Sequence, residues 1–253
     1  MADKTTADNE AAGPINEADF LSYTRESRRL GLSIPLVLPL LVIYQVGIVR
    51  NGSTTRNVAE VWITNYLADL NVPVATIVNI LIVAGLAYAL WELQKNGRLL
   101  FSYMIVIIFE SCLYALLLMV GVSTAACFIH ELAMRYLSQT PIDSQALLLS
   151  IGAGVYEELL FRLILIGGGM LLLKKLFMWG PVVSGVLMIS ISALLFSAAH
   201  HLGPGSEPVE SYVFIFRAVC GAVLGTIFVT RGLGIAVFTH VIYNVLLLVN
   251  FPG

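Results

Sequence analysis

Apolar positions along the chain gather into seven long runs, at about Ser33–Val49, Val72–Trp91, Leu99–Phe128, Ala146–Leu173, Pro181–His200, Tyr212–Thr230 and Leu233–Asn250. Each is long enough, as a helix, to cross a hydrocarbon core of about 30 Å. Together they leave no room for a folded soluble domain. The pattern predicts an all-α protein, a polytopic transmembrane helical bundle of about seven spans. Residues 1–30 differ in kind, with little apolar periodicity, and read as a polar tail that is mostly disordered or lies on the surface. Three spans follow in residues 31–145 and four more in residues 146–250. Pro35 and Pro39 fall in the first run, where neighbouring helices can support a kink. Between the first two runs, Val58, Val61, Trp62 and Tyr66 recur at helical spacing, which predicts a short interfacial helix.

Composition agrees. Of 253 residues, 58% are hydrophobic and only 12% charged, against about 25% charged in soluble domains; mean hydropathy is +0.88. The placement of the cations adds an orientation. With the N-terminus inside, nine of the 14 Lys and Arg residues fall in inner segments, three in outer ones (Arg50, Arg56, Arg135) and two within spans (Arg162, Arg217). The positive-inside rule then favours a cytoplasmic N-terminus and an outer C-terminus. The expected location is a prokaryotic plasma membrane, reached without a cleavable signal peptide. Cys112, Cys127 and Cys220 lie in apolar runs without ligand-like spacing and read as small hydrophobes. Lipid and a protein or peptide substrate are the expected partners, and a net charge of −2 gives no basis for a nucleic-acid partner.

Polar residues inside the runs carry the chemistry. Glu157, Glu158 and Arg162 interrupt a stretch that is otherwise free of charge, although one charge at mid-bilayer costs about 2.5–3.5 kcal/mol on insertion scales. On a helix Glu158 and Arg162 are four apart and share a face, so they can pair. Glu157 points roughly 100° away and cannot use that partner in the same way. The spare carboxylate suits a general base or a metal ligand; a buried network that only stiffens the bundle is the plain alternative. Other spans offer further groups at the same spacing, Phe196 with His200 and His240 with Asn244. Facing helices of a bundle are where such sites are built.

The ordered trio Glu157-Glu158-x-x-x-Arg162, Phe196-x-x-x-His200 and His240-x-x-x-Asn244 resembles the CPBP (Abi) family of intramembrane proteases, related to the CAAX prenyl proteases. The resemblance covers about residues 146–250. It implies an intramembrane endopeptidase in which Glu157 activates the attacking water, His200 helps to hold it, and His240 and Asn244 stabilise the oxyanion. Glu158 and Arg162, with Phe196, would support the site. The same residues leave a second mechanism open, in which Glu157, His200 and His240 hold a divalent, zinc-like metal whose fourth position carries the water. There is no HExxH.

Three further expectations follow. Glu110 and Arg217, the other charges within spans, could pair with each other as structural glue, or Arg217 could meet a substrate carboxylate. His201 faces the loop rather than the site. At about 1.5 Å per residue the site lies toward the non-cytoplasmic half, beneath loop 203–211, which suits a membrane-anchored or exported substrate. A non-catalytic scaffold, or an ion-coupled transporter using Glu110, Glu157 and Arg217 as a relay, are the competing readings.

Overall fold

The computed structural model describes residues 17–52, 56–69, 74–128, 144–202 and 209–250. Among these the chain is helical apart from short connectors, without strands, and forms the expected bundle. The helices are α1 (Glu17–Ser27), α2 (Leu30–Arg50), α3 (Val58–Asp69), α4 (Val74–Phe128), α5 (Ser144–Glu157), a π-helical segment (Glu158–Gly168), α6 (Gly169–Phe177), α7 (Pro181–Ala199), α8 (Ser211–Arg231) and α9 (Leu233–Asn250). Leu30–Arg50, Phe101–Gly121, Pro181–Ala199 and Ser211–Arg231 are each long and apolar enough to cross a membrane, while Ile80–Glu92 and Leu233–Val249 are shorter apolar helices. Large side chains such as Leu171, Val182 and Leu117 stand exposed, as a lipid-facing surface requires.

Two expectations change. Part of the polar tail is ordered: α1 folds back onto α2 and α4, and Tyr23 on α1 donates to Glu110 at 2.6 Å. Burial, then the Glu110 carboxylate, push this phenol above its ordinary value, so it remains a donor. Residues 1–16 lie outside the described residues. The second change concerns α4, which runs unbroken from Val74 to Phe128 over 55 residues. No non-helical residue separates Trp91 from Leu99, although Ile80–Glu92 and Phe101–Gly121 remain two distinct apolar segments. Glu92, Leu93, Gln94, Lys95 and Arg98 are good helix formers, and Gly97 alone, without proline, costs too little to end a helix.

The interfacial helix expected after the first run is α3, and it packs on α5 and α4. Helix α9 lies at the centre, against α2, α4, α5 and α8, and Ile235, Ala236 and Val237 on it are fully buried. Its approach to α5 depends on a missing side chain. A Cβ on Gly154 would stand 2.9 Å from the backbone nitrogen of Val241, closer than real Cβ atoms come. Small residues at helix contacts allow such approach in membranes. Here the contact sets Glu157 and Glu158, just beyond Gly154, beside His240.

Candidate active site

The helix carrying the two glutamates changes its winding between them. Residues up to Glu157 are α-helical, and from Glu158 to Gly168 the hydrogen bonds follow the wider π pattern. Long π segments are rare and are frequent at functional sites. The single helix expected across Ala146–Leu173 is therefore corrected to α-helix, π segment and α-helix in turn. The segment ends at Gly167–Gly169, residues that adapt to a change of backbone winding at low steric cost.

Glu158 and Arg162 still pair despite the altered winding. Arg162 Nη1 stands 3.0 Å from Glu158 Oε1, both side chains being wholly buried. The approach lies off the hydrogen-bond line, so charge rather than alignment holds it. Arg162 Nη2 donates to the carbonyl of Gly221 on α8 at 3.3 Å, and its guanidinium lies over the Phe196 ring at 4.6 Å. The same Glu158 Oε1 accepts from His240 Nδ1 at 2.7 Å. Glu158 is therefore committed to two cationic or N–H partners and has no exposure of its own.

That bond sets the tautomer of His240. A carboxylate beside a guanidinium accepts and cannot donate, so Nδ1 carries the proton and Nε2 is the working nitrogen. Nε2 faces Glu157 Oε2 at 3.9 Å. A water about 2.8–3.0 Å from both atoms fits this separation. His200 repeats the arrangement from α7: its Nδ1 meets the Phe196 carbonyl at 2.8 Å. A carbonyl only accepts, so here too Nδ1–H is fixed and Nε2 is presented. Phe196 sits between the parts, edge-on to both imidazoles at ring separations of 4.9 Å (His200) and 6.2 Å (His240). This is the physical content of the Phe196–His200 spacing: one ring packs Arg162 and both histidines.

The structure thus brings together Glu157, Glu158, Arg162, Phe196, His200 and His240. Asn244 lies one helical turn beyond His240, half-buried, and no hydrogen bond joins it to this cluster among the described residues. His201 stacks on Phe214 at 6.0 Å, away from Phe196. Glu110 and Arg217 do not pair: Glu110 takes two bonds from Arg231, at 2.6 and 2.8 Å, besides that of Tyr23. Arg231, at the end of α8, reaches Glu110 where Arg217, four turns earlier, does not. Arg217 instead lies near enough to His200, Cys220 and Tyr243 for its charge to act on them. Glu110 is therefore tied up in a separate ion pair. Cys112 and Cys220 are free and half-buried. Loop positions 203–208, expected to overlie the site, lie outside the described residues.

A metal would find suitable chemistry here, since ligating histidines usually anchor one ring nitrogen on a carboxylate or carbonyl and present the other. Among the described residues no three His, Cys, Asp or Glu side chains are grouped closely enough to form a ready metal site.

Sequence reasoning missed one partner. The Asn57 side chain donates to Glu157 Oε1 at 2.9 Å, in a buried contact between residues 100 positions apart. The signal available was local: Asn57-Val-Ala-Glu60 has the spacing of a helix N-cap followed by an acid. It located the start of α3 and gave no hint of Glu157.

The described residues form an all-α bundle in which α5, α7 and α9 bring a buried glutamate–histidine cluster together. Residues 141–246 match the family model described as type II CAAX prenyl endopeptidase Rce1-like, and an Rce1-like domain, of a protease family, therefore occupies that part of the chain. No curated protein and no solved structure matches the chain.

Proposed function

We propose that the protein is an intramembrane endopeptidase that hydrolyses a peptide bond of a membrane-anchored or exported protein, with Glu157 as general base. One observation supports this above the others: Glu157 Oε2 and His240 Nε2 face each other across 3.9 Å, while the neighbouring Glu158 has its Oε1 engaged by both Arg162 and His240. Glu157 Oε2 takes the proton of the attacking water, and such positioned bases contribute about 10²–10⁴-fold. His200 Nε2 helps to hold that water. Asn244 donates its amide to the oxyanion as it forms, and His240 joins it as an imidazolium, donating from Nε2 while Nδ1–H stays on Glu158; fixed donors are worth most where water is scarce. Arg162 stands beside the same Glu158 oxygen that holds His240 Nδ1, and so keeps that carboxylate and the imidazole ring in place.

In this reading Glu157 acts as the base without a metal. Metal content and chelator sensitivity of the purified, active protein check this: full activity without bound metal is expected. The same proposal puts the site in the non-cytoplasmic half of the bilayer, with the N-terminus in the cytoplasm; the excess of Lys and Arg in the segments assigned to the inside supports it.

The test compares membrane proteomes of cells carrying wild type and Glu157→Gln. A membrane protein accumulating uncut only with Glu157→Gln is the expected result, and it identifies the substrate. Identical juxtamembrane peptides in both strains would refute the protease.

A further inference from the structure

Catalysis by a carboxylate needs one of its oxygens aimed, and a glutamate side chain has enough rotational freedom to miss. In Glu157 one oxygen, Oε2, faces His240, and the other accepts the Asn57 amide at 2.9 Å. The orientation of that amide is dictated from its far side. Asn57 Oδ1 accepts the backbone N–H of Ala59 at 2.9 Å, capping α3 in the usual way. With the oxygen so engaged, the NH2 group must point at Glu157; a flipped amide would set oxygen against oxygen on one side and N–H against N–H on the other.

Asn57 is itself held. Its backbone N–H donates to the Tyr44 hydroxyl at 3.1 Å, and that hydroxyl donates to Glu60 at 2.5 Å. Glu60 is further fixed by Gln45 at 3.1 Å and Arg56 at 2.7 Å. Gln45 also donates to the Tyr156 hydroxyl, beside Glu157 in sequence. Asn57, Tyr44, Glu60 and Glu157 are all at most 9% exposed, so these bonds do not compete with bulk water. Nearby, Trp62 on α3 packs against Phe161, Phe196 and Ala199. The start of α3 is thereby anchored to α2 on one side and to the candidate active site on the other.

We propose that Asn57 is a positioning residue for Glu157: its amide N–H holds one carboxylate oxygen so that the other stays aimed at His240 and the attacking water. The site is then completed from outside residues 141–246, by the turn that opens α3. The proposal rests on the reading of Glu157 as general base. Its distinctive feature is a division within one side chain. Capping α3 needs only an acceptor, which serine or aspartate supplies as well; the donor is surplus to the cap and is spent on Glu157.

The substitutions Asn57→Ser and Asn57→Asp separate the two roles. Both keep the capping oxygen, and neither keeps the N–H donor. The probe is the membrane protein that accumulates uncut with Glu157→Gln, cleaved by purified full-length variants in lipid vesicles. Both substitutions are expected to lower kcat about tenfold or more, as loss of alignment does, with KM within about threefold of wild type. The melting temperature of Asn57→Ser should stay close to wild type, because its cap is intact. Adding Asn57→Ser to Glu157→Gln should cost nothing further, since residues acting through one group are not additive.

Asn57→Ser turning over at the wild-type kcat would overturn the proposal and leave the protease reading standing. So would a loss of turnover that only follows a loss of folded protein. If Glu157→Gln leaves no protein uncut, the general base itself is refuted, and the role of Asn57 falls with it.

Discussion

Glu157 and Glu158 are neighbours in sequence with opposite fates. Glu158 is wholly buried with Arg162 and bound to His240, so removing either member of the pair strands the other. Arg162→Ala leaves a buried carboxylate uncompensated and should cost about 3–5 kcal/mol, read by denaturant unfolding in detergent. Glu158→Gln keeps the acceptor for His240 Nδ1 but leaves the buried guanidinium without a counter-charge, and should cost a similar amount. Glu157→Gln should leave the melting temperature nearly unchanged and lower kcat by about 10²–10⁴-fold. The pairing of Glu158 with Arg162, and the freedom of Glu157, were legible from a spacing of four on one helix. The Asn57 bond was not, because the chain between residues 100 positions apart carries no periodicity linking α3 to α5. The expected Glu110–Arg217 pair failed for a related reason: composition names the charges, but only packing decides that Arg231 reaches Glu110.

At the scale of elements, close contact between α5 and α9 brings the glutamates to His240, and Gly154 permits it. Gly154→Val should force these helices apart, costing about 1–3 kcal/mol as overpacking does and lowering activity together with stability. Activity and unfolding measured on the same preparation check this, and an active, stable Gly154→Val protein would show that the approach is not needed. Helix existence was readable from apolar runs, since each run had to bury its backbone bonds internally. Winding and continuity were less so. Nothing in Glu158–Gly168 announces a π segment, and the polar stretch after Trp91 resembles a loop although its residues favour helix.

The whole molecule presents apolar side chains outward along its length, as a bundle in lipid must. Its proposed orientation has a direct check. In a variant lacking Cys112, Cys127 and Cys220, single cysteines at Gly52 or Leu202 should react with impermeant thiol reagents from the non-cytoplasmic side, and one at Met178, which is 88% exposed, from the cytoplasmic side. The reverse pattern would move the site to the inner leaflet. The Rce1-like match covers residues 141–246, yet Tyr44, Asn57 and Glu60 tie the preceding helices to that domain's central carboxylate, so the helices before it are part of the same machine. The claim on which everything turns is that Glu157 works. It is tested most directly by reconstituting purified wild type and Glu157→Gln in lipid vesicles with the protein that accumulates in mutant cells. Wild type should cleave it at one juxtamembrane bond while Glu157→Gln leaves it whole; equal cleavage by both, or by neither, would contradict the account.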